Sequence, residues 1–212
     1  NGLSIVKKIY ILGSGGLAQE VYGWNLCQKK NNRLKIDGFI SNDSLESLFG
    51  LPILSKSSVK SLKDDFKFIP CIGDINNRRN EFESLEKIGG SPYSFISDDV
   101  KIGANVEVGD GCILNPRSSI SSNVTIKQGT IINCNSGIGH DTSIGSFCTL
   151  FGSVTINGNV KIGSNVMIGS GAIIHPGKNI DDGSIIGIGS VVLRNIKENT
   201  TVYGNPAKKM HI

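Results

Sequence analysis

Val154-Thr155-Ile156-Asn157-Gly158-Asn159 is followed by Val160-Lys161-Ile162-Gly163-Ser164-Asn165 and then by Val166-Met167-Ile168-Gly169-Ser170-Gly171. Each six-residue unit repeats one order: a valine, an isoleucine two places on, then glycine, asparagine or serine. Outward from this stretch the beat runs from Ile96 to Val192, with an aliphatic residue at seventeen consecutive sixth positions and no insertion. Four residues after each stands a mostly smaller side chain, from Val100, Val106, Cys112 and Ser118 through Cys148 and Ala172 to Ser190, broken only by Lys178. A period of six fits neither a helix at 3.6 nor an alternating strand at 2. It reads as a parallel β-helix, whose corners need the residues that tolerate left-handed backbone angles. Three units make one triangular coil, so residues eighteen apart should stack at roughly the ~4.8 Å strand spacing. The array then gives between five and six coils.

Before the repeats the texture differs. The first 90 of the 212 residues are mixed and charge-rich, so a domain over 1–90, a solenoid over 91–198 and a closing segment over 199–212 are expected. The net charge of +4 is mild and its basic residues are scattered, with no aromatic-basic motif, so no nucleic-acid partner is expected. Five cysteines without a CxxC pair suit a reducing, cytoplasmic setting, and Cys112 and Cys148 fall in the core column. No apolar run approaches the roughly 18 residues a membrane span requires. No secretion signal opens the chain, and a start at Asn1 suggests a truncation or cloning remnant.

Lys8 to Leu12 reads as a strand running into Gly13-Ser14-Gly15-Gly16-Leu17-Ala18 and a helix through Val21, Tyr22 and Leu26. Lys35 to Ile40 is a second strand ending at Ser41-Asn42-Asp43. Phe66 to Ile72 is a third, ending at Gly73-Asp74 before a helix from about Asn76 to Ile88. Strand, glycine turn and helix make a phosphate-binding order, and the alternation predicts a small Rossmann-like parallel sheet with ligands at the strands' carboxyl ends. A tight turn also needs glycine for steric reasons alone, so both readings stay open. The acid that a dinucleotide site wants at the end of the second strand is replaced by Ser41 and Asn42, with Asp43 late. Hydride chemistry is not expected.

Of the solenoid's two histidines, His140 stacks over Gly158 by the eighteen-residue count, and Asp141 follows it. A base, a carboxylate and a glycine amide thus share one corner. Against this, a turn histidine can be plain surface, and Gly158 can serve backbone angles only. His175 reads as a loop residue. Phe147 and Phe151 would be exposed on a lone chain, which predicts a subunit interface. Lys178 should bend outward, because burying its ammonium unpaired is costly.

The unbroken hexads and the closing Tyr203-Gly204-Asn205-Pro206-Ala207-Lys208 resemble the left-handed β-helix acyltransferases. With the Gly13-Ser14-Gly15-Gly16 domain in front, the chain is similar to the branch of nucleotide-amino-sugar N-acetyltransferases and sialic acid O-acetyltransferases. The resemblance implies an α/β Rossmann-like domain followed by a left-handed parallel β-helix, assembled as a homotrimer with acetyl-CoA between solenoids and no metal. It implies His140 as catalytic base with Asp141 orienting it, and the Gly158 amide facing the thioester carbonyl. Ser170, Gly187 and Ile188 would hold the pantetheine arm, and Lys208 and Lys209 the CoA phosphates. Gly13, Ser14, Gly15, Gly16, Leu17, Ser41, Gly73 and Asp74 would line the sugar or nucleotide site.

The acceptor is less defined. Leu17 stands where nucleotide-amino-sugar enzymes often carry histidine, and Ser41 where they carry aspartate; the apolar Leu17 is closer to the sialic acid group. Gly139 replaces the acid often found before the histidine. A sugar amine is favoured over a sugar hydroxyl. Hexapeptide solenoids also serve as non-catalytic scaffolds and as γ-carbonic anhydrases with three zinc-binding histidines, a set that His140 and His175 do not complete.

Overall fold

The structure, a computed structural model, describes residues 7–43, 45–61 and 66–210. Asn1, whose nature the sequence raised, lies outside the described residues. The chain forms two compact units, Asn1–Tyr93 and Ser94–Ile212.

The first unit is a sheet with helices. Its elements run β1 (Lys8–Leu12), α1 (Gly16–Cys27), β2 (Ile36–Ile40), β3 (Ser47–Leu48), β4 (Leu51–Leu54), α2 (Lys56–Ser61), β5 (Phe66–Pro70), α3 (Ile75–Glu86) and β6 (Gly90–Pro92). They order as β3-β4-β2-β1-β5-β6, parallel except for the β3–β4 hairpin. The central strands are covered on both faces, which is why they read as continuous apolar runs: Tyr10, Ile11, Leu12, Phe39, Ile40, Phe68 and Ile69 are all buried. The hairpin was not legible in the sequence. Its turn residues Phe49 and Gly50 both take positive φ, 52° and 76°, the angles of a mirror-image two-residue turn. Phenylalanine is a poor residue for that conformation, and its ring stacks on Tyr22 with centroids 5.1 Å apart.

The second unit is the β-helix. Two-residue strands, each paired with the strand eighteen residues on, build three parallel faces. The first face runs from Phe95–Ile96 to Ile185–Ile186 and continues into Thr201–Tyr203, on which Lys208–Lys209 pairs antiparallel. The second runs from Lys101–Ile102 to Val191–Val192, and the third from Glu107–Val108 to Asn179–Ile180. The aliphatic column and the smaller column together fill the interior. Full burial of each isoleucine contributes about 1.5–3 kcal/mol. Buried hydroxyls in the smaller column are satisfied across coils: Thr130 donates to the Gly145 carbonyl at 2.8 Å and accepts from the Cys148 amide at 3.1 Å. At the corners every sixth residue is left-handed, among them Asn105, Asn123, Asp141 and Asn159 at φ 55° to 59°.

One expectation is overturned here. Phe147 is 2% exposed, not a surface residue awaiting a partner. From its left-handed corner its ring reaches back one coil onto Gly129, where a Cβ would meet it at 2.5 Å. Phe151 is partly exposed, at 38%. Lys178, at the break in the smaller column, is half-buried.

Candidate active site

The strand Gly137–Ile138 leaves the second face and turns through Gly139, His140, Asp141 and Thr142 into Ser143–Ile144 of the third. Thr142 points inward and is buried, whereas His140 and Asp141 face solvent. The imidazole Nδ1 lies 2.7 Å from Asp141 Oδ2. Asp141 Oδ1 accepts from Asn123 Nδ2 at 3.0 Å. The hydrogen bond from His140, then that from Asn123, together with the charge of His140, holds the Asp141 carboxyl below the usual carboxylate range. A carboxylate can only accept, so Nδ1 carries the proton, and in the neutral imidazole that tautomer leaves a lone pair on Nε2.

Gly158 lies one coil on, directly under that nitrogen. A Cβ there would come within 2.6 Å of His140 Nε2, and no left-handed φ explains the glycine. The imidazole, and not the turn, occupies the space of a Cβ at Gly158, and the left-handed residue of that turn is Asn159 at φ 59°. The Asn159 amide donates to the His140 carbonyl at 2.8 Å, while the Gly158 amide donates to no partner among the described residues. The corner thus pairs a basic nitrogen with a free N–H donor. His175 lies at the same corner of the coil after Gly158, exposed, with Nδ1 3.1 Å from the Pro176 carbonyl.

Ser170, Gly187 and Ile188 cluster elsewhere, at the corner between the first and second faces. Ser170 accepts from the Gly189 amide, Gly187 is packed under Tyr203, and Ile188 is 63% exposed. Ile173 and Ile185, on the same two faces, are exposed as well, and so is Leu193 at the second face's other end, on the corner of His175. Lys208 and Lys209 form an exposed pair at the end of the first face. One chain does not bring these residues to His140. They occupy a different corner, separated along the coil by a side of six residues, a reach of at most ~20 Å.

In the first unit a cavity of about 240 Å³ opens at the carboxyl ends of β1, β2 and β5. Gly13 and Ser41 line it, with Asn42 and Asp43. Ser14 is buried, and its hydroxyl donates to the Asp43 carboxylate and lies 3.0 Å from Ser41 Oγ. Asp43, late in the sequence, folds back to the glycine turn. The glycines divide into two kinds. Gly13, at φ 105°, would press a Cβ against the Cys71 carbonyl oxygen at 2.7 Å, so it is sterically required. Gly15, Gly16 and Gly73 have ordinary φ and open space where a Cβ would stand, so packing does not explain them. Gly15 caps α1 without a side-chain hydrogen bond, so no capping side chain satisfies the first-turn amides. Asp74 is committed to α3, accepting from the Asn77 amide at 2.8 Å.

Sequence reasoning missed three cavity residues and one support. Lys56 and Glu81 pair at 2.9 Å across the cavity, and Asn77 joins them. Arg78 is fully buried and donates to the carbonyls of Ile72 at 2.8 Å and Gly73 at 3.2 Å, fixing the turn after β5. These residues sit on helices far from the glycine turn in sequence, and no spacing announces them. Among the described residues no group of three or more His, Cys, Asp or Glu side chains is placed to hold a metal ion. No helix among them is long and apolar enough to cross a membrane.

Comparison with known proteins places this architecture. The PglD N-terminal domain model matches residues 8–85, and the bacterial transferase hexapeptide model, six repeats, matches 93–128 and 141–176. No curated protein matches the sequence at a significant level. Among solved structures, WeeI from Acinetobacter baumannii AYE is 29% identical with a TM-score of 0.88, covering 97% of this chain and 100% of its own. PerB from Caulobacter crescentus, solved with CoA and GDP-perosamine, is 23% identical with a TM-score of 0.89, covering 97% and 98%. The acetyltransferase domain of PglB from Neisseria gonorrhoeae FA1090 is 22% identical with a TM-score of 0.87, covering 96% and 100%, and has also been solved with acetyl coenzyme A. The chain is a left-handed β-helix acyltransferase of the hexapeptide-repeat class. Within that class it falls in the branch that carries a PglD-type domain ahead of the repeats.

Proposed function

We propose that this chain transfers the acetyl group of acetyl-CoA to the amino group of a nucleotide-linked sugar, in bacterial surface-glycan synthesis in the cytoplasm. The observation that carries the reading is the corner where Asp141 holds His140 Nδ1 and Nε2 stands over Gly158. In this mechanism His140 Nε2 takes a proton from the sugar amine as its nitrogen bonds to the thioester carbon. Negative charge then grows on the carbonyl oxygen, and the Gly158 amide donates to it. Collapse expels the CoA thiolate, which recovers the proton from the imidazolium, and no acetyl-enzyme forms. Cys148, buried in the core, takes no part.

Ser170, Gly187 and Ile188 hold the pantetheine arm, and Lys208 and Lys209 the CoA phosphates. Because these groups lie at another corner, the reading requires a neighbouring chain to complete each site, and a homotrimer supplies one per interface. The exposed apolar residues Ile173, Ile185 and Ile188 support burial of that region. The nucleotide occupies the first unit's cavity, its phosphates at the open glycines 15 and 16. Transfer to a sugar hydroxyl, as on a sialic acid, is the second reading, favoured by the apolar Leu17 at the glycine turn.

The test is mass spectrometry of nucleotide-amino-sugar and sialic-acid acceptors incubated with acetyl-CoA, for the wild type and His140→Ala. We expect one acetyl group added to an amino-sugar acceptor and lost in the variant. Acetylation confined to sialic acids would select the second reading. Acetylation undiminished in His140→Ala would remove the proposed base. Absence of both transfer and acetyl-CoA binding would leave a scaffold.

A further inference from the structure

The corner that carries Asp141 is a row. Asn105, Asn123, Asp141 and Asn159 occupy the same left-handed position in four successive coils, at φ 55°, 58°, 56° and 59°. Backbone bonds lock them in register: the Asn123 amide donates to the Ala104 carbonyl, that of Asp141 to Ser122 and that of Asn159 to His140. Closely similar φ angles and the shared register set the side chains in one row. Asn105 Nδ2 donates to Asn123 Oδ1 at 3.1 Å, and Asn123 Nδ2 donates to Asp141 Oδ1 at 3.0 Å.

The direction of this ladder follows from chemistry. A carboxylate offers acceptors only, so the amide group of Asn123 that faces Asp141 must be its NH2. Its carbonyl oxygen then faces Asn105, which must donate in turn. Both amide dipoles are aligned with their positive ends toward the carboxylate. Asp141 spends one oxygen on Asn123 and the other on His140 Nδ1, so its plane is fixed from two sides. His140 is the ionisable group that faces Asp141, and the residues stacked beneath and above it, Asn123 and Asn159, are uncharged.

We infer that Asn123, braced by Asn105, is a positioning residue for acetyl transfer: it orients the Asp141 carboxylate, which in turn holds His140 in the tautomer that leaves Nε2 free. The inference rests on His140 being the proton acceptor. Hydrogen bonds to charged groups are the stronger kind, and losing one from an exposed site lowers rate by roughly ten-fold.

The test uses the full chain with Asn123→Gly, which removes the amide and tolerates the left-handed backbone, and Asn123→Asp, which keeps the shape and turns the donor into an acceptor. Asn165→Gly, at φ 58° on another corner, is the control for backbone effects. Carbon-13 NMR follows the titration of the Asp141 carboxyl, and nitrogen-15 NMR follows the His140 tautomer. Losing the donor raises the Asp141 midpoint, because the hydrogen bond favours the ionised form; a second carboxylate raises it further. We expect both Asn123 variants to show this shift with a mixed His140 tautomer. We also expect Asn123→Gly to lose about ten-fold in kcat at an unchanged KM for acetyl-CoA. The control should match the wild type. An unmoved Asp141 midpoint, or a kcat for Asn123→Gly equal to that of the control, would overturn the inference. The NMR readouts need no acceptor, so they decide the ladder separately from acetyl transfer, whose failure would appear as full activity in His140→Ala.

Discussion

Gly158 is where side-chain chemistry and backbone geometry can be told apart. Its φ is one that alanine adopts without strain, so Gly158→Ala should fold normally; the added methyl would nonetheless lie 2.6 Å from His140 Nε2 and must displace the ring. We expect kcat to fall by about 10²-fold, the scale of a lost base or oxyanion donor, with the thermal midpoint within a few degrees of wild type. Steady-state kinetics beside calorimetry checks both halves. His140, Asp141 and Gly158 could be placed together from the sequence because eighteen-residue stacking turns counting into proximity. Lys56, Asn77 and Glu81 could not, because helix paths bring them to the cavity, and no period encodes such a path. Phe147 escaped for a related reason. Its ring packs on the coil before its own, so its position in the hexad gave no hint of its burial.

At the scale of elements, the glycine turn between β1 and α1 separates support from recognition. Gly13→Ala would force a Cβ against the Cys71 carbonyl at a φ of 105°, and should cost about 2–3 kcal/mol of stability. Gly16→Ala has open space and sits in the first turn of a helix, where alanine is the better residue, so stability should hold or rise slightly. Its methyl would nevertheless stand where a phosphate is proposed to approach. Denaturant melts combined with titration of a nucleoside diphosphate distinguish the two outcomes: an unstable protein for Gly13→Ala, a stable one with weakened binding for Gly16→Ala. The strands β1, β2 and β5 and the helix α3 were legible within about two residues as apolar runs and polar turns, and α1 was legible as a helix but not its start, Gly16, which lies inside the glycine turn. The β3–β4 hairpin was hidden, because Phe49 took a turn position that sequence normally gives to asparagine or glycine.

Across the whole molecule, the solenoid's stability is spread along its length. Each coil bonds only to its neighbours, so a column residue is worth most where coils lie on both sides. Ile138 is 3% exposed in mid-array, and Ile138→Ala should cost about 2–5 kcal/mol. Ile102, in the first coil, is 46% exposed, and the same substitution there should cost about 1 kcal/mol or less. Equal losses in chemical denaturation would contradict a nearest-neighbour solenoid. The fold was readable because its period is long, regular and unlike helix or strand. Within one chain the corners of His140 and of Ser170 stay apart.

The absence of any insertion between Ile96 and Val192 gives the chain a phase. Adding one hexad after His140 would leave every later residue in a valid slot and the interior still filled, yet would rotate all that follows by a third of a turn. Gly158 would arrive under a different corner, and the imidazole would stand over another residue. Adding three hexads would restore the angle but set the two a coil further apart. The array can therefore lengthen by sixes and remain a solenoid, while the pairing of His140 with Gly158 survives only at a separation of one full coil.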